Sequence, residues 1–508
     1  MTLHRDTYVD SVVQLAGTRA ARAADGVDWA SAAMATPGNL EILAAEGFSV
    51  ADAGANDLVI AVRAGSDEAA GAARAAAEEA MFAGRAGAGQ AREEAPPRTL
   101  RDAVGRLDGA NVAVVSVPGD YAALEAHKAL SVGLHVLLFS DNVPVEAEVE
   151  LKDRATALDR LVMGPGAGTA MLGGACLGFA NVVAPAQERG VGVAVVAAAG
   201  TGAQEAASLL DRWGVGVPHV IGLGGRDLTA AVGGRMARVA LRALADDPRT
   251  DVILLVSKPP APEVAASVLG DFCGKPLVAA LIGLAGEGPD GVTVTRTLEA
   301  GAVAALKAAG LHAPDVSAGL ADRVSAVAAG LPERRTLVRG LFSGGTLCYE
   351  SLVVLGDLGI DTYSNTPIDK RLGLPAPDGA HQCLDLGEEE YTKGRPHPMI
   401  DPEARIGLLR EHGAQLDVAA IVLDVVLGHG ANLDPAAELA PVCREVTADG
   451  GPAVVVYVLG TAHDPQGLER TRAAFTDAGC LVTETAARAT LAAAAIATRR
   501  PAIAETPL

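Results

Sequence analysis

The sequence predicts an α/β protein built on parallel sheets, and three observations lead there. Half of the 508 residues are hydrophobic, only 3% are aromatic and 59 are glycine, which suits helices packed closely on parallel sheets better than β-sandwiches. The apolar, β-branched run Val191 to Ala198 leads into Gly200-Thr201-Gly202 and the helix-forming AQEAASLLDRW, the pattern of a buried parallel strand, a turn and a helix. The unit returns about 145 residues later in Leu337 to Gly356: an apolar strand, the turn Ser343-Gly344-Gly345-Thr346, and a helix carrying Glu350 where the first copy carries Glu205. A repeat at that distance implies two related domains rather than a short-period solenoid.

In chain order, residues 1–95 read as a small α+β module of the kind used for docking or regulation. Strands are expected at Tyr8 to Leu15 and Asp57 to Ala64, helices at Pro37 to Glu46 and Asp67 to Phe82, and a middle strand near Ala33. Gly84 to Pro97, GRAGAGQAREEAPP, reads as a flexible linker. Residues 98–185 carry a truncated Rossmann-like piece, with strands at Asn111 to Val117, His135 to Phe139 and Leu161 to Met163 and a helix at Tyr121 to Leu130. No G-x-G-x-x-G follows its first strand and no Walker A motif occurs, so neither a nicotinamide dinucleotide nor a P-loop nucleotide is indicated. Residues 186–335 and 336–508 form the two repeated domains, both expected to be flavodoxin-like.

Composition narrows the partners. A net charge of −21 argues against nucleic acid, whose phosphates call for an excess of Lys and Arg. No apolar run approaches the roughly 20 residues of a membrane span, and the N-terminus lacks a signal-peptide pattern, so a cytoplasmic location is expected. The six cysteines are scattered, without C-x-x-C or histidines at ligand spacing, which indicates a reducing compartment and no metal.

The chemistry is expected at the turns. A glycine turn between a strand's carboxyl end and a helix start leaves N–H groups free, and the helix dipole favours an anion there. The candidate phosphate-binding set is Gly200, Thr201 and Gly202, then Gly224, Gly225 and Arg226 after the next strand, and Ser343, Gly344, Gly345 and Thr346. Candidate catalytic groups are Arg395 and His397, in the polar, proline-stiffened stretch Asp385 to Asp401, with Lys258 as a further basic partner. His429, in LGHGAN, is a lesser candidate read as packing or capping. Cys348, in the second turn's helix, reads as structural.

Several of these stretches carry a family resemblance. VSVPGDYAALEAHKALSVGLHVLLFSDNVP with MGPGAG resembles the CoA-binding domain of succinyl-CoA synthetase, and AAAGTGAQEAASLLDRWG with HVIGLGGRDL resembles the ligase domain that follows it. Over its whole length, with GPGAGTAMLGGACLGFAN, FSGGTLCYE and DLGEEEYTKGRPHPMIDP, the chain is similar to the FdrA family of synthetase-related proteins. The resemblance implies a CoA-binding-type domain before two synthetase-type domains, and two helix N-termini aimed at one phosphate. It leaves CoA open as the one cofactor and implies other protein subunits, a homo-oligomer, and a role in oxamate carbamoyltransferase chemistry of ureide breakdown. An acyl-CoA synthetase subunit and a non-catalytic scaffold stand as alternatives. The chain departs from the synthetases where they carry their phosphorylated histidine: no histidine lies between His219 and His312, and Ser257-Lys258-Pro259-Pro260 takes the place of the glutamate that supports it. The expected ligand is therefore a small phosphorylated or acyl substrate.

Overall fold

The structure, a computed structural model, describes residues 1–9, 11–50, 52–86, 97–392 and 396–508. Residues 87–96 of the expected linker and the candidate Arg395 lie outside the described residues. One compact unit includes residues 1–98, and another includes residues 99–392 and 397–508.

In the first unit, β1 (Thr2–His4), α1 (Ser11–Arg22), β2 (Val27–Met34), α2 (Pro37–Ala45), β3 (Leu58–Ala64) and α3 (Asp67–Ala86) follow one another. The antiparallel sheet has the order β1-β3-β2. Two expectations are corrected here. Tyr8 to Leu15 is not a strand: α1 starts at Ser11 and lies so close to α3 that a side chain at Gly17 would meet Met81 at 2.6 Å. The strand near Ala33 is at the edge rather than the middle. Leu58 to Val62 is buried on both faces, as a central strand must be, whereas β2 alternates between buried and partly exposed residues.

The second unit begins with α4 (Leu100–Arg106), β4 (Val112–Val115), α5 (Gly119–Ser131), β5 (His135–Leu138), α6 (Val145–Ala157) and β6 (Val162–Met163). These make the truncated Rossmann-like piece, three parallel strands in the order β4-β5-β6. The chain continues through β7 (Met171–Leu172), β8 (Ala175–Cys176) and α7 (Ala186–Arg189) into the first flavodoxin-like domain. There β9 (Val193–Ala198), α8 (Gly200–Arg212), β10 (His219–Gly222), α9 (Arg235–Ala245) and β11 (Val252–Ser257) come first. α10 (Pro262–Gly270), β12 (Leu277–Leu281), β13 (Val292–Thr295), α11 (Leu298–Ala308) and α12 (Leu320–Ala329) complete it. The sheet runs β13-β12-β11-β9-β10-β7-β8, so the β7–β8 hairpin extends this sheet and not the Rossmann-like one.

The second flavodoxin-like domain opens with β14 (Leu337–Phe342), α13 (Gly345–Asp357), β15 (Thr362–Tyr363), β16 (His381–Asp385), α14 (Glu389–Thr392) and α15 (Glu403–Gly413). β17 (Val418–Val426), α16 (Pro435–Thr447), β18 (Ala453–Leu459), α17 (Leu468–Asp477), β19 (Leu481–Thr483) and α18 (Ala486–Thr498) follow. Its sheet is β15-β16-β14-β17-β18-β19. With β15 set apart as an extra edge strand, both sheets place their five core strands in the order second, first, third, fourth, fifth. One hydrophobic core runs through both domains, from Val195 and Val256 to Phe342, Val422 and the alanines of α18. Every residue of α18 from Ala486 to Ala497 is buried, because alanine-rich helices fit slots too narrow for larger side chains. α8 packs against α13 and α11, and α13 against α18. Both glycine turns thus sit at carboxyl ends of parallel strands, where open α/β sheets bind ligands.

Candidate functional site

α8 and α13 begin without a side-chain cap, at Ala199 and Gly344. Their first-turn N–H groups therefore have no internal acceptor. The two starts converge and interlock. A methyl group built on Gly344 would meet the Thr201 methyl at 2.6 Å, and one built on Gly202 would meet the Thr346 methyl at 2.6 Å. Neither glycine needs a left-handed backbone, so each is required by its neighbour's threonine. Gly200 faces open space. The hydroxyls of Thr201 and Thr346 are buried without a hydrogen-bond partner, an arrangement native proteins rarely leave unfilled.

Around the second turn the domain supplies polar groups. Asp424 on β17 accepts hydrogen bonds from the Ser343 backbone N–H at 2.8 Å and its hydroxyl at 2.9 Å. The Ser343 hydroxyl accepts in turn from Arg405 of α15 at 2.9 Å. Arg405 also lies 3.3 Å from the Asp424 carboxylate and donates to its carbonyl. Ser343 is thus a holding residue, and Arg405, which sequence reasoning missed, is the cation that fixes it. Gly345 lies between Asp385 at the end of β16 and Lys258 just after β11. Burial raises the Asp385 carboxyl to about 7, against the pull of Lys258. His397 is near: its Nε2 lies 2.9 Å from where a Gly387 side chain would start, and its Nδ1 accepts from the Met399 N–H at 3.3 Å. Desolvation, then Arg405, lowers it to about 4, so it is neutral and serves as an acceptor holding its own turn.

The loop Gly224-Gly225-Arg226 does not join this set. Gly224 takes a positive φ where its Cα packs on the Gly164–Pro165 backbone. Arg226 pairs with Glu148 at 2.8 Å and donates to the Val143 carbonyl at 2.8 Å. Beneath it, buried Lys152 bonds Glu148, Asp227 and the Leu223 carbonyl. That network joins α6 to the first flavodoxin-like domain. His429 is exposed, and it is its backbone that pairs with Ala180, the His429 N–H donating to the Ala180 carbonyl at 2.7 Å. Cys348 is buried and its thiol is pushed well up by desolvation, as its structural reading requires.

The two glutamates of the repeat link the domains. Glu350 of α13 accepts the N–H of Leu298, the first residue of α11, at 2.6 Å. Glu205 of α8 accepts from the Ala486 N–H, the first residue of α18, and from the Tyr457 hydroxyl. Each domain therefore caps a helix of the other. Burial raises Glu205 to about 7; burial, with Glu205 nearby, raises Glu350 to about 8. The i, i+4 spacing from each threonine was visible in the sequence, but the partner helices were not.

Comparison with known proteins adds to this. Residues 1–97 match the family described as AllF, heavy metal-associated domain, and residues 341–496 match CoA-ligase. Residues 1–97 contain no cysteine, and among the described residues no group of three or more His, Cys, Asp or Glu side chains could hold a metal ion. Among the described residues, the metal in that description thus has no fitting ligand set. The uncharacterized protein YahF of Escherichia coli (strain K12) is 36% identical over 494 residues, 94% of each chain. Among solved structures, the dinucleotide forming acetyl-coenzyme A synthetase 1 of Ca. Korarchaeum cryptofilum, in complex with phosphate and ADP, is 18% identical, with 78% of this chain and 83% of that one covered and a TM-score of 0.26. ATP citrate lyase from Methanothrix soehngenii, in complex with citrate and coenzyme A, is 21% identical over 42% of this chain and 38% of that one, with a TM-score of 0.31. Among the described residues no helix is long and apolar enough to cross a membrane.

Proposed function

We infer, from the premise that this chain belongs to the family of Escherichia coli YahF, that it is a CoA-ligase-type acyl-transfer enzyme holding phosphate or an acyl phosphate between the starts of α8 and α13. The observation that carries this is the pair of buried, unpartnered hydroxyls of Thr201 and Thr346 at two uncapped, converging helix N-termini. Each start presents about half a positive charge and free N–H donors, and together they suit a dianion without a metal. No histidine lies between His219 and His312 to carry the phosphoryl group. The acyl group then passes directly from phosphate to acceptor, with first-turn N–H groups placed to stabilise the carbonyl oxyanion. Carbamoyl phosphate is the acyl phosphate we put first, on the FdrA resemblance, with other protein subunits as partners.

A second reading, an acyl-CoA synthetase subunit using CoA, is favoured by the CoA-ligase match over residues 341–496. Calorimetric titration with phosphate and carbamoyl phosphate tests the first. Saturable binding, weakened about 10- to 100-fold in Thr201→Val and Thr346→Val, supports it, since a hydrogen bond to a charged group contributes about 1.5–3 kcal/mol. Wild-type affinity in both variants moves the site elsewhere. ADP release from ATP that depends on CoA supports the second reading.

A further inference from the structure

Across the start of α13, two groups of opposite charge from different domains face each other without pairing. A methyl group built on Gly345 would lie 2.4 Å from Asp385 Oδ2 and 2.8 Å from Lys258 Nζ. Among the described residues, neither forms an ion pair within 4.0 Å. Asp385 Oδ1 accepts the Gly387 N–H at 2.9 Å, which leaves Oδ2 directed at Gly345. The Lys258 ammonium stands over the Tyr349 ring at 5.8 Å. An anion oxygen seated on the Gly345 N–H is therefore beside both a free cation and a carboxylate.

We propose that the site binds a tetrahedral dianion only with one proton shared between the anion and Asp385, and that Lys258 supplies the countercharge. This rests on the anion-site reading above. A dianion beside an ionised carboxylate is disfavoured, as two like charges at one site always are, whereas a protonated Asp385 donates a hydrogen bond to it. Two sources of the proton exist. Monohydrogen phosphate carries its own, while sulfate and an acyl phosphate dianion carry none and must draw one onto Asp385.

The surroundings of Asp385 are suited to this exchange. Lys258 faces it from the loop after β11, Glu388 from its own loop, Asp424 from β17, and Tyr349 and Cys348 from α13. Burial holds Asp385 at about 7, so the proton is gained or lost close to neutrality. His397, already neutral, and Arg405, tied to Asp424 and Ser343, do not compete for it.

The experiment is calorimetric titration of the full chain with sulfate and with inorganic phosphate, at pH values from about 6 to 9. In the wild type the sulfate dissociation constant is expected to rise about tenfold per pH unit above about 7, whereas that of phosphate, which brings its own proton, should stay level there. Asp385→Asn should flatten the sulfate profile. Lys258→Met should weaken both anions at least tenfold at every pH, and Lys258→Arg should recover most of the loss. Melting curves identify a misfolded Asp385→Asn, in which case Asp385→Ser takes its place. If Thr201→Val and Thr346→Val lose binding while the Asp385 variants keep the wild-type pH slope, the shared proton is refuted and the anion site stands. If the wild type binds neither anion, both fall.

Discussion

Glu350 and Leu298 belong to different domains, yet the Glu350 carboxyl lies 2.6 Å from the Leu298 backbone N–H and caps α11. Thr297, the N-cap residue of α11, satisfies the N–H of Ala300, so Glu350 completes the cap from across the interface.

Glu350 makes stability pH-dependent. Burial raises its folded-state value to about 8 from the ordinary glutamate value of 4.5, so between those values the folded chain keeps a proton that the unfolded chain has released. Stability is therefore present below the window, falls as pH rises through it, and levels off above. Glu350→Gln keeps an acceptor for Leu298 and cannot ionise. We expect it to gain about 1–3 kcal/mol on the wild type between pH 6 and 9, each unit of pKa difference being about 1.4 kcal/mol. Denaturant melts at the two pH values measure this, and parallel curves would remove Glu350 as the source.

The interlocked turns predict a steric contrast. Gly202→Ala adds a carbon where Thr346, Ala199 and Val256 already stand at 2.6, 3.1 and 3.1 Å, and should cost about 1–3 kcal/mol as an overpacked site does. Gly200→Ala enters open space and should be neutral or slightly stabilising. Equal melting temperatures for the two variants would contradict the observed contact.

The Gly224–Asp227 loop should prove structural. Lys152→Met strands Glu148 and Asp227 without their buried cation and should destabilise by about 3–5 kcal/mol. Arg226→Ala removes a partly exposed arginine and should leave phosphate affinity within twofold. A large loss of phosphate binding in Arg226→Ala would return that loop to the site.

Incubation with ATP, or with carbamoyl phosphate, should leave no acid-labile phosphate on the chain. Detection of phosphohistidine by mass spectrometry at any position would overturn direct transfer.

Local pattern was enough for much of this protein. The runs Val191 to Ala198 and Leu337 to Phe342 identify buried parallel strands because both faces of such a strand are covered, and their glycine turns identify helix starts because a chain leaving a strand needs one there. The repeat of those units implied two domains, and the sheets share one strand order. At Tyr8 to Leu15 local pattern failed, since a short apolar stretch reads equally as strand or helix until a neighbour such as Met81 selects one. Tertiary structure alone decided the rest: that Thr201 fills the space beside Gly344, that Arg405 holds Ser343, and that Lys258 faces Asp385 from 127 positions earlier in the chain. These are contacts between residues far apart in sequence, set by how two sheets pack through α8, α13, α11 and α18. Periodicity reports which face of an element is buried, but not which residue it is buried against.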